Sequence, residues 1–306
     1  MTLPTFLTVG AEKCGTTALH VHLSRHPQVF MSEPKEPSFF LAEDPRYVGQ
    51  DMGDLKHEYI RTLAEYEAIF DSVTDENAIG ESSPCYLYSD IVPDKIKGLI
   101  PDAKIIAILR NPVQRAYSQF VFNQQRGWES RKMTFARALE LEDERFENGS
   151  MWAFHYTRRG KYSGQIKRYL DVFSTARVRV VLYDDFVKTP EVVLENLYEF
   201  LGVTSAALDN TRERHNVTGL PKSTLLHRLT NTSNPFKTIL KRLLPKGARQ
   251  RVRRALSSWN STKPPADPDD LSRLENLFEA DIRELAGIID PDPLVWLNKT
   301  GPSPAS

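Results

Sequence analysis

Short apolar runs rich in β-branched residues alternate along this chain with longer segments in which apolar residues recur at helical spacing. Runs of the first kind predict buried strands, and they cover residues 6–9, 104–109 and 177–183. Segments of the second kind predict helices, and they cover residues 16–23, 113–125 and 189–201. Continuous apolar strands that alternate with helices favour a parallel sheet covered on both faces. The pattern therefore predicts an α/β fold with three layers, α/β/α, around a mainly parallel sheet.

Local signals place the ends of several helices. Pro112 fits the first turn of the helix that follows the strand at 104–109. Gly202 fits the C-terminal stop of the helix that opens at Thr189. Residues 267–289 then predict one long amphipathic helix, with its apolar side chains on one side.

The C-terminal part of the chain has a looser pattern. Residues 220–265 are rich in Pro, Ser, Asn and Thr, and a basic stretch covers residues 237–254. A solvated helix face is the simpler interpretation of that stretch, and contact with an acidic glycan or a nucleotide is the alternative. We interpret residues 1–306 as a single domain, with a core over residues 5–203 and a C-terminal extension over residues 220–297 that ends in the closing helix.

Bulk properties narrow the function classes. The 306 residues include 40 basic and 40 acidic side chains, so the charge balance gives no signal for nucleic acid or a membrane surface. Two cysteines are too few for a disulfide framework. No apolar run reaches the ~18 residues of a membrane helix, and the first residues lack the pattern of a signal peptide. We expect a soluble cytoplasmic protein that does not insert into membranes.

The loop after the first strand has the groups that bind a phosphate. It reads Gly-Ala-Glu-Lys-Cys-Gly-Thr-Thr over residues 10–17. Glycines allow backbone N–H groups to converge on an anion, the following helix N-terminus adds partial positive charge, and Lys13 adds a full charge. The loop differs from the P-loop of nucleoside-triphosphate-binding proteins, in which the lysine directly follows the second glycine, because Lys13 precedes Gly15. A simple tight turn before a helix is the alternative.

A second set of anion-binding groups follows the strand at 104–109. Arg110 comes directly after the strand, and Ser118 lies about two turns into the next predicted helix. Because parallel sheets bind ligands beyond the carboxyl ends of their strands, both side chains can reach one anion there. Taken alone, Arg110 can be explained by a surface ion pair and Ser118 by an ordinary helix position.

The two motifs together resemble those of the sulfotransferase family. The residues that resemble its loop for the 5′-phosphosulfate group are Lys13, Cys14, Gly15, Thr16 and Thr17. Arg110 and Ser118 resemble its 3′-phosphate motif. The resemblance implies a P-loop-like fold in which these residues bind the sulfuryl donor 3′-phosphoadenosine 5′-phosphosulfate (PAPS). It extends over residues 6–296.

Three further segments resemble bacterial sulfotransferases and the branch of the family that modifies heparan sulfate. They are residues 81–87, residues 159–162 and residues 262–265. The resemblance implies that Tyr162 in the second segment and Lys263 in the third help to bind the nucleotide.

The resemblance also implies a catalytic base. An acceptor loses a proton as it attacks sulfur, and Glu36, just before a Phe-Phe pair, resembles the catalytic glutamate of the glycan-modifying branch. Lys13 would stabilise the transferring group. The branch that modifies steroids and phenols uses a histidine instead, and residues 78–87 contain none. The alternative is that Glu36 is one charge in a solvated loop. No Asp, Glu and His cluster has the spacing of a metal site, so no metal is expected.

The acceptor is open. In some glycan-modifying relatives a lysine follows the glutamate that corresponds to Glu81, whereas Ser82 stands there in this chain. We therefore expect a hydroxyl or amine of either a saccharide or a small molecule, and the oligomeric state is not predicted. Two other functions compete: a P-loop-type kinase or phosphotransferase that uses ATP and magnesium, and a nucleotide-binding protein that has lost its chemistry.

Overall fold

Five parallel strands form the main sheet. A computed structural model describes residues 2–44, 46–47, 60–204, 220–221, 261–262 and 266–297. In chain order the strands of this sheet are β1 Phe6–Gly10, β2 Val29–Met31, β3 Ala78–Ser82, β4 Lys104–Leu109 and β5 Val178–Leu182. Their order across the sheet is β2-β3-β1-β4-β5, and each neighbouring pair is parallel. The predicted α/β fold with a parallel sheet is confirmed.

The pattern of apolar residues predicts β1, β4 and β5 but not β2 and β3. β2 has only three residues, which is too short for a distinct run. β3 includes Gly80, Glu81 and Ser82, so it does not read as an apolar strand, although the side chains of Glu81 and Ser82 are fully buried. A strand that contains buried polar residues lacks a continuous apolar run, so the pattern of apolar residues does not predict it.

Helices and short turns connect these strands. The helices of the described residues are α1 Thr16–Leu23, α2 Leu63–Ala68, α3 Val92–Leu99, α4 Pro112–Arg126, α5 Phe135–Glu140, α6 Glu142–Glu147, α7 Tyr162–Phe173, α8 Tyr183–Lys188, α9 Pro190–Leu201 and α10 Pro268–Ala286. Short 3₁₀ turns lie at Phe39–Leu41, Tyr86–Tyr88, Trp152–Phe154, Arg158–Gly160, Thr175–Arg177 and Pro293–Trp296. Outside the main sheet, Leu220–Pro221 pairs antiparallel with Ser261–Thr262.

The predicted helix ends agree closely with the observed ones. α4 begins at Pro112, and the side chain of Asn111 accepts hydrogen bonds from the first backbone N–H groups of that helix. α9 ends at Leu201, and Gly202 directly after it adopts a left-handed conformation with φ 81°. α10 ends before Gly287, so the prediction for the last helix extends a few residues too far.

Alternate residues of β4 face opposite layers of the fold. Ile106 and Ile108 pack in a cluster with apolar side chains of α1 and α9. Ile105, Ala107 and Leu109 pack in a second cluster with α3, α4, α7 and α10. All five side chains are fully buried. Helices therefore cover both faces of the sheet, as a parallel sheet of apolar strands requires.

The topology brings several loops to one place. Because all five strands are parallel, the loops that follow β1, β2, β3, β4 and β5 start at the same edge of the sheet. After β1 the chain forms β2 and β3 on one side of β1, and it then forms β4 and β5 on the other side. The strand order therefore reverses between β1 and β4. Ligands of open α/β sheets bind at such a point.

The last described helix is fixed to the core by a capping contact. The Asp281 carboxylate on α10 accepts a hydrogen bond from the backbone N–H of Tyr162 at 2.7 Å and one from the Ser163 hydroxyl at 2.5 Å. No residue of α7 itself supplies a side-chain cap at this end. α10 therefore holds the N-terminus of α7. Within the described ranges, no helix is long and apolar enough to span a bilayer.

We expect Asp281→Ala to lower the free energy of unfolding by about 2 kcal/mol, since hydrogen bonds to charged groups contribute about 1.5–3 kcal/mol. Urea denaturation measures the change. Glu279→Ala is the matched control, because Glu279 lies on the same helix and pairs with the exposed Arg283. Its effect should stay below about 0.5 kcal/mol. Equal losses in the two variants would contradict the capping role of Asp281.

Candidate active site

The loop between β1 and α1 contains two residues with left-handed backbone. Lys13 has φ 66° and Gly15 has φ 93°. A Cβ atom at Gly15 would lie 2.8 Å from the ring of Tyr183, so this position requires glycine. No side chain caps the N-terminus of α1, where Thr16 is buried and Thr17 half-buried. An uncapped helix N-terminus behind a glycine turn is the geometry with which proteins bind phosphate groups.

The Lys13 side chain is held against an aromatic ring. Its amine lies 3.9 Å from the centre of the Phe122 ring on α4, a cation–π contact. Burial lowers the pKa of Lys13 to about 8, although the carboxylates of Glu12 and Glu36 act in the opposite direction. The amine is therefore mostly cationic at neutral pH, and its positive charge is only partly shielded by water.

Other charged groups lie within electrostatic range of this amine. Arg126 and Arg110 lower the pKa of Lys13 further, after burial as the main cause. The Arg126 guanidinium also lies 5.1 Å from the centre of the Phe122 ring, so cationic groups of the first loop and of α4 share that ring. Such a concentration of positive charge favours a ligand that carries several negative charges.

The second predicted motif lies where β4 ends. Arg110 follows the last residue of β4, its Nε donates to Gln114 Oε1 at 3.1 Å, and its guanidinium lies 4.9 Å from the centre of the Tyr183 ring. Ser118 is buried on α4, about two turns after that helix begins. The Tyr183 ring adjoins both motifs, because it also fills the space that a side chain at position 15 would need.

Glu36 belongs to a loop that is fastened to the end of β3. Its backbone N–H donates to the Ser82 carbonyl at 3.0 Å, and the N–H of Ser38 donates to the Ser83 hydroxyl at 3.1 Å. The Glu36 carboxylate lies 2.5 Å from the Lys35 amine, and its side chain is 35% exposed. A carboxylate that is fixed in place yet open to solvent can accept a proton from an incoming acceptor.

Backbone strain coincides with the two predicted catalytic residues. In the described part of the chain, the non-glycine residues with positive φ are Lys13, Glu36, Ser38 and Ser174. Left-handed conformations of such residues cost about 1–3 kcal/mol each and cluster at functional sites. Their occurrence at Lys13 and Glu36 therefore supports a functional role for both loops.

Tyr162 and Cys14 lie inside the protein rather than at its surface. Both side chains are fully buried, and the Tyr162 hydroxyl donates to the Arg110 carbonyl at 2.9 Å. The Cys14 sulfur lies 3.6 Å from the same hydroxyl, and burial raises the pKa of the thiol, so it stays protonated. The Tyr162 phenol thus binds the backbone of the second motif. Direct contact of Tyr162 with the nucleotide stays a prediction.

The sequence motifs do not reveal a buried ion pair behind the loop. Glu12 pairs with Arg159, whose side chain is only 4% exposed, and Glu12 also accepts a hydrogen bond from the Cys85 thiol at 3.4 Å. Both residues lie in segments that the motifs single out, but a loop glutamate next to a lysine normally points to solvent. The Glu12 side chain points inwards because the loop packs against the Arg158–Gly160 turn, and the sequence alone does not show this packing.

A second buried carboxyl lies at the end of β3. Glu81 accepts hydrogen bonds from the Ser83 hydroxyl at 2.7 Å and the Tyr66 hydroxyl at 3.1 Å, and burial raises its pKa to about 7. Next to it, the Ser82 hydroxyl lies 3.1 Å from His20 Nδ1. The serine at position 82 is therefore part of an internal hydrogen-bond network.

Two of the predicted features lie outside the described residues. They are Lys263 and the basic stretch over residues 237–254. Among the residues that the structure does describe, no group of three or more His, Cys, Asp or Glu side chains is arranged to hold a metal ion.

Comparison with known proteins agrees with this geometry. The family model for the sulfotransferase domain matches residues 3–220. The chain belongs to the sulfotransferase family. It is therefore an enzyme that transfers a sulfuryl group. The match includes the loops after β1, β2, β3 and β4.

A solved structure shows the same fold over nearly the whole chain. The sulfotransferase from Alicyclobacillus acidocaldarius has 28% sequence identity and a TM-score of 0.75, and the alignment covers 97% of this chain and 99% of that one. The likeness confirms the arrangement of three layers around a parallel sheet.

Curated relatives match a part of this sulfotransferase. The bifunctional heparan sulfate N-deacetylase/N-sulfotransferase 4 of Mus musculus is 30% identical over 210 residues. The corresponding enzyme 1 of Xenopus laevis is 31% identical over 207 residues. Each alignment covers 66% of this chain and 22% of the relative, so the chain spans about a fifth of the length of these relatives.

The lowered pKa of Lys13 predicts a pH dependence. The cation is present below about pH 8 and is lost as the pH rises through that value, so kcat/KM for sulfuryl transfer should fall there. Lys13→Arg keeps the charge at all these pH values, because an arginine has a pKa above 12. In that variant the decline near pH 8 should be absent, even if its rate is lower at every pH. The same decline in both enzymes would show that another group titrates.

Proposed function

We propose that this sulfotransferase takes its sulfuryl group from PAPS and transfers it to a hydroxyl or amine of a saccharide or a small molecule. The observation that carries the proposal is the pair of phosphate motifs at the ends of the adjacent strands β1 and β4. Both motifs adjoin the Tyr183 ring, since a Cβ atom at Gly15 would lie 2.8 Å from it and the Arg110 guanidinium lies 4.9 Å from its centre. Two separate anion sites suit a nucleotide with separate 5′ and 3′ phosphate groups better than one with a single phosphate chain.

The residues of the two loops fit such a donor. The uncapped N-terminus of α1 offers backbone donors for a 5′ phosphosulfate. Arg110 offers a fork of N–H donors, and Ser118 adds a hydroxyl, for a 3′ phosphate. When bound, the donor would supply an activated sulfuryl group for transfer.

The chain's own residues provide the remaining chemistry. The Glu36 carboxylate is positioned to take the proton that the acceptor hydroxyl or amine releases. The Lys13 amine places a positive charge next to the transfer site, where burial makes that charge more effective than in water. The Lys35 amine lies 2.5 Å from the Glu36 carboxylate and forms an ion pair with it.

The acceptor is proposed as a broad class of compounds and not as one compound. The names of the curated relatives describe N-sulfation of heparan sulfate, which supports a saccharide amine. Ser82, however, is engaged with His20 and supplies no positive charge at the place where some glycan-modifying relatives carry a lysine. We therefore keep saccharides and small molecules as acceptors. A cytoplasmic location stays a prediction.

The competing functions agree less well with these observations. A kinase that uses ATP would need a lysine after the second glycine of the loop, whereas Lys13 comes before Gly15. A protein that had lost its chemistry would have no reason to retain left-handed backbone at both Lys13 and Glu36.

Replacing the proposed base tests the mechanism. Glu36→Gln should lower kcat about 100-fold or more, since a positioned general base contributes about 10²–10⁴-fold. The affinity for adenosine 3′,5′-bisphosphate should be unchanged, because Glu36 is assigned to the acceptor and not to the nucleotide. Turnover is measured with radiolabelled PAPS and a panel of saccharides and small hydroxyl compounds and amines.

The control is Glu33→Gln, an exposed carboxylate in the same loop, which should turn over at the normal rate. A normal rate for the Glu36 variant, with unchanged nucleotide affinity, would remove Glu36 from the mechanism. Absence of transfer to every acceptor by the unmodified enzyme, with ATP consumed instead, would contradict the proposed function itself.

A further inference from the structure

One short segment, residues 159–162, contacts both phosphate motifs. At its start, Arg159 pairs with Glu12, the residue directly before Lys13 in the first motif. At its end, the Tyr162 hydroxyl donates to the carbonyl of Arg110 in the second motif at 2.9 Å. The side chains of Arg159 and Tyr162 are almost fully buried, whereas the Glu12 side chain is 24% exposed. Four consecutive residues therefore join two loops that are far apart in sequence.

The contact with the first motif is a buried ion pair. Although burial raises the pKa of the Glu12 carboxyl, the Arg159 guanidinium outweighs it and the pKa is lowered overall. The carboxylate therefore stays ionised and bound to Arg159. Removing one partner of a buried pair leaves the other uncompensated, which makes such a contact costly to break. The backbone of Glu12 is thereby fixed, and with it the left-handed conformation of Lys13.

The contact with the second motif holds a backbone carbonyl. Arg110 is the residue at which the chain leaves β4, so a hydrogen bond to its carbonyl restrains the backbone that carries its guanidinium. The Tyr162 hydroxyl supplies the hydrogen bond to this carbonyl and also lies 3.6 Å from the sulfur of Cys14 in the first motif. The phenol ring thus lies between the two loops and touches both.

The segment is itself held from behind by α10. A Cβ atom at Gly160 would lie 2.8 Å from the ring of Phe278, so the turn packs directly on this helix. The Asp281 carboxylate accepts from the Tyr162 N–H at 2.7 Å. These contacts leave the segment little freedom, so it gives each motif a firm support.

We propose that Arg159 and Tyr162 are positioning residues, Arg159 for the 5′-phosphate site of the donor and Tyr162 for its 3′-phosphate site. The proposal rests on the proposed function, since it assigns these two sites to one bisphosphate nucleotide. Arg159 sets the placement of Lys13 at the transfer site, and Tyr162 sets the placement of Arg110 at the 3′-phosphate. These roles do not require contact of either side chain with the nucleotide.

The test compares adenosine 3′,5′-bisphosphate with adenosine 5′-monophosphate, which lacks the 3′-phosphate, by calorimetry. Tyr162→Phe removes the hydrogen bond but keeps the ring, so the Kd of the bisphosphate should rise about 5-fold, the value of one hydrogen bond. The Kd of the monophosphate should change less than about 2-fold. A purely structural role would weaken both nucleotides alike.

Arg159→Met should act on the other motif. Misplacement of Lys13 should lower kcat by about 10–100-fold, since small shifts of catalytic groups have effects of this size, while KM for PAPS changes less. Arg159→Lys keeps the charge and should restore part of the rate. The matched control is Arg158→Met, because Arg158 pairs with the exposed Asp143 and should leave kcat and both Kd values at normal levels.

The outcomes separate this proposal from the function on which it rests. If the unmodified enzyme fails to bind adenosine 3′,5′-bisphosphate, the proposed function is wrong. If the unmodified enzyme binds it, the positioning roles are contradicted by equal weakening of both nucleotides in Tyr162→Phe, or by a normal kcat in Arg159→Met. Thermal unfolding checks each variant. Should Arg159→Met not fold, Glu12→Gln removes the charge with little change of shape, and a normal kcat there would overturn the proposal.

Discussion

Because the five strands of the main sheet run parallel, each strand delivers its following loop to the same edge. The site depends on this constraint. The loop after β1 brings Lys13, the loop after β2 brings Glu36, and β4 brings Arg110. Side chains that are distant in sequence therefore face one space beside the point where the strand order reverses. No single loop contains enough groups for the chemistry, and the topology assembles them.

The assembled charges would repel one another without further support. Lys13 lies within range of two guanidinium groups, and burial together with these neighbours lowers its pKa to about 8. The protein offsets this with carboxylates on both sides, Glu36 towards the open face and Glu12 towards the interior. The result is a site that is held in shape by buried pairs and still attracts an anion with several charges.

The strained backbone at Lys13 and Glu36 also depends on contacts with neighbouring elements. Lys13 and Glu36 both adopt left-handed conformations, which a free loop would avoid. Each is held by a neighbour: the Glu36 N–H bonds to the end of β3, and the residue before Lys13 is bound to Arg159. Rigid attachment to the sheet and to the segment 159–162 keeps these conformations in place.

The sequence predicts the parts of this arrangement that follow from local pattern. The apolar run of β4, the proline at the start of α4 and the glycine after α9 are examples. The binding roles of the two phosphate motifs stay predictions. The sequence does not predict β3, because Glu81 and Ser82 are polar although they are buried. Nor does it predict the partner of Glu12, since the burial of a charge is decided by tertiary packing. The roles of Lys263 and of residues 237–254 stay predictions, because both lie outside the described residues.

The central claim is that the two phosphate motifs form one site for a nucleotide with separate 5′ and 3′ phosphates. Calorimetric titration of the unmodified enzyme with adenosine 3′,5′-bisphosphate and with ATP tests it most directly. We expect adenosine 3′,5′-bisphosphate to bind at least about 10-fold more tightly than ATP, since a charge-assisted hydrogen bond at the 3′ site contributes about 1.5–3 kcal/mol. Tight binding of ATP together with no binding of the bisphosphate would contradict it.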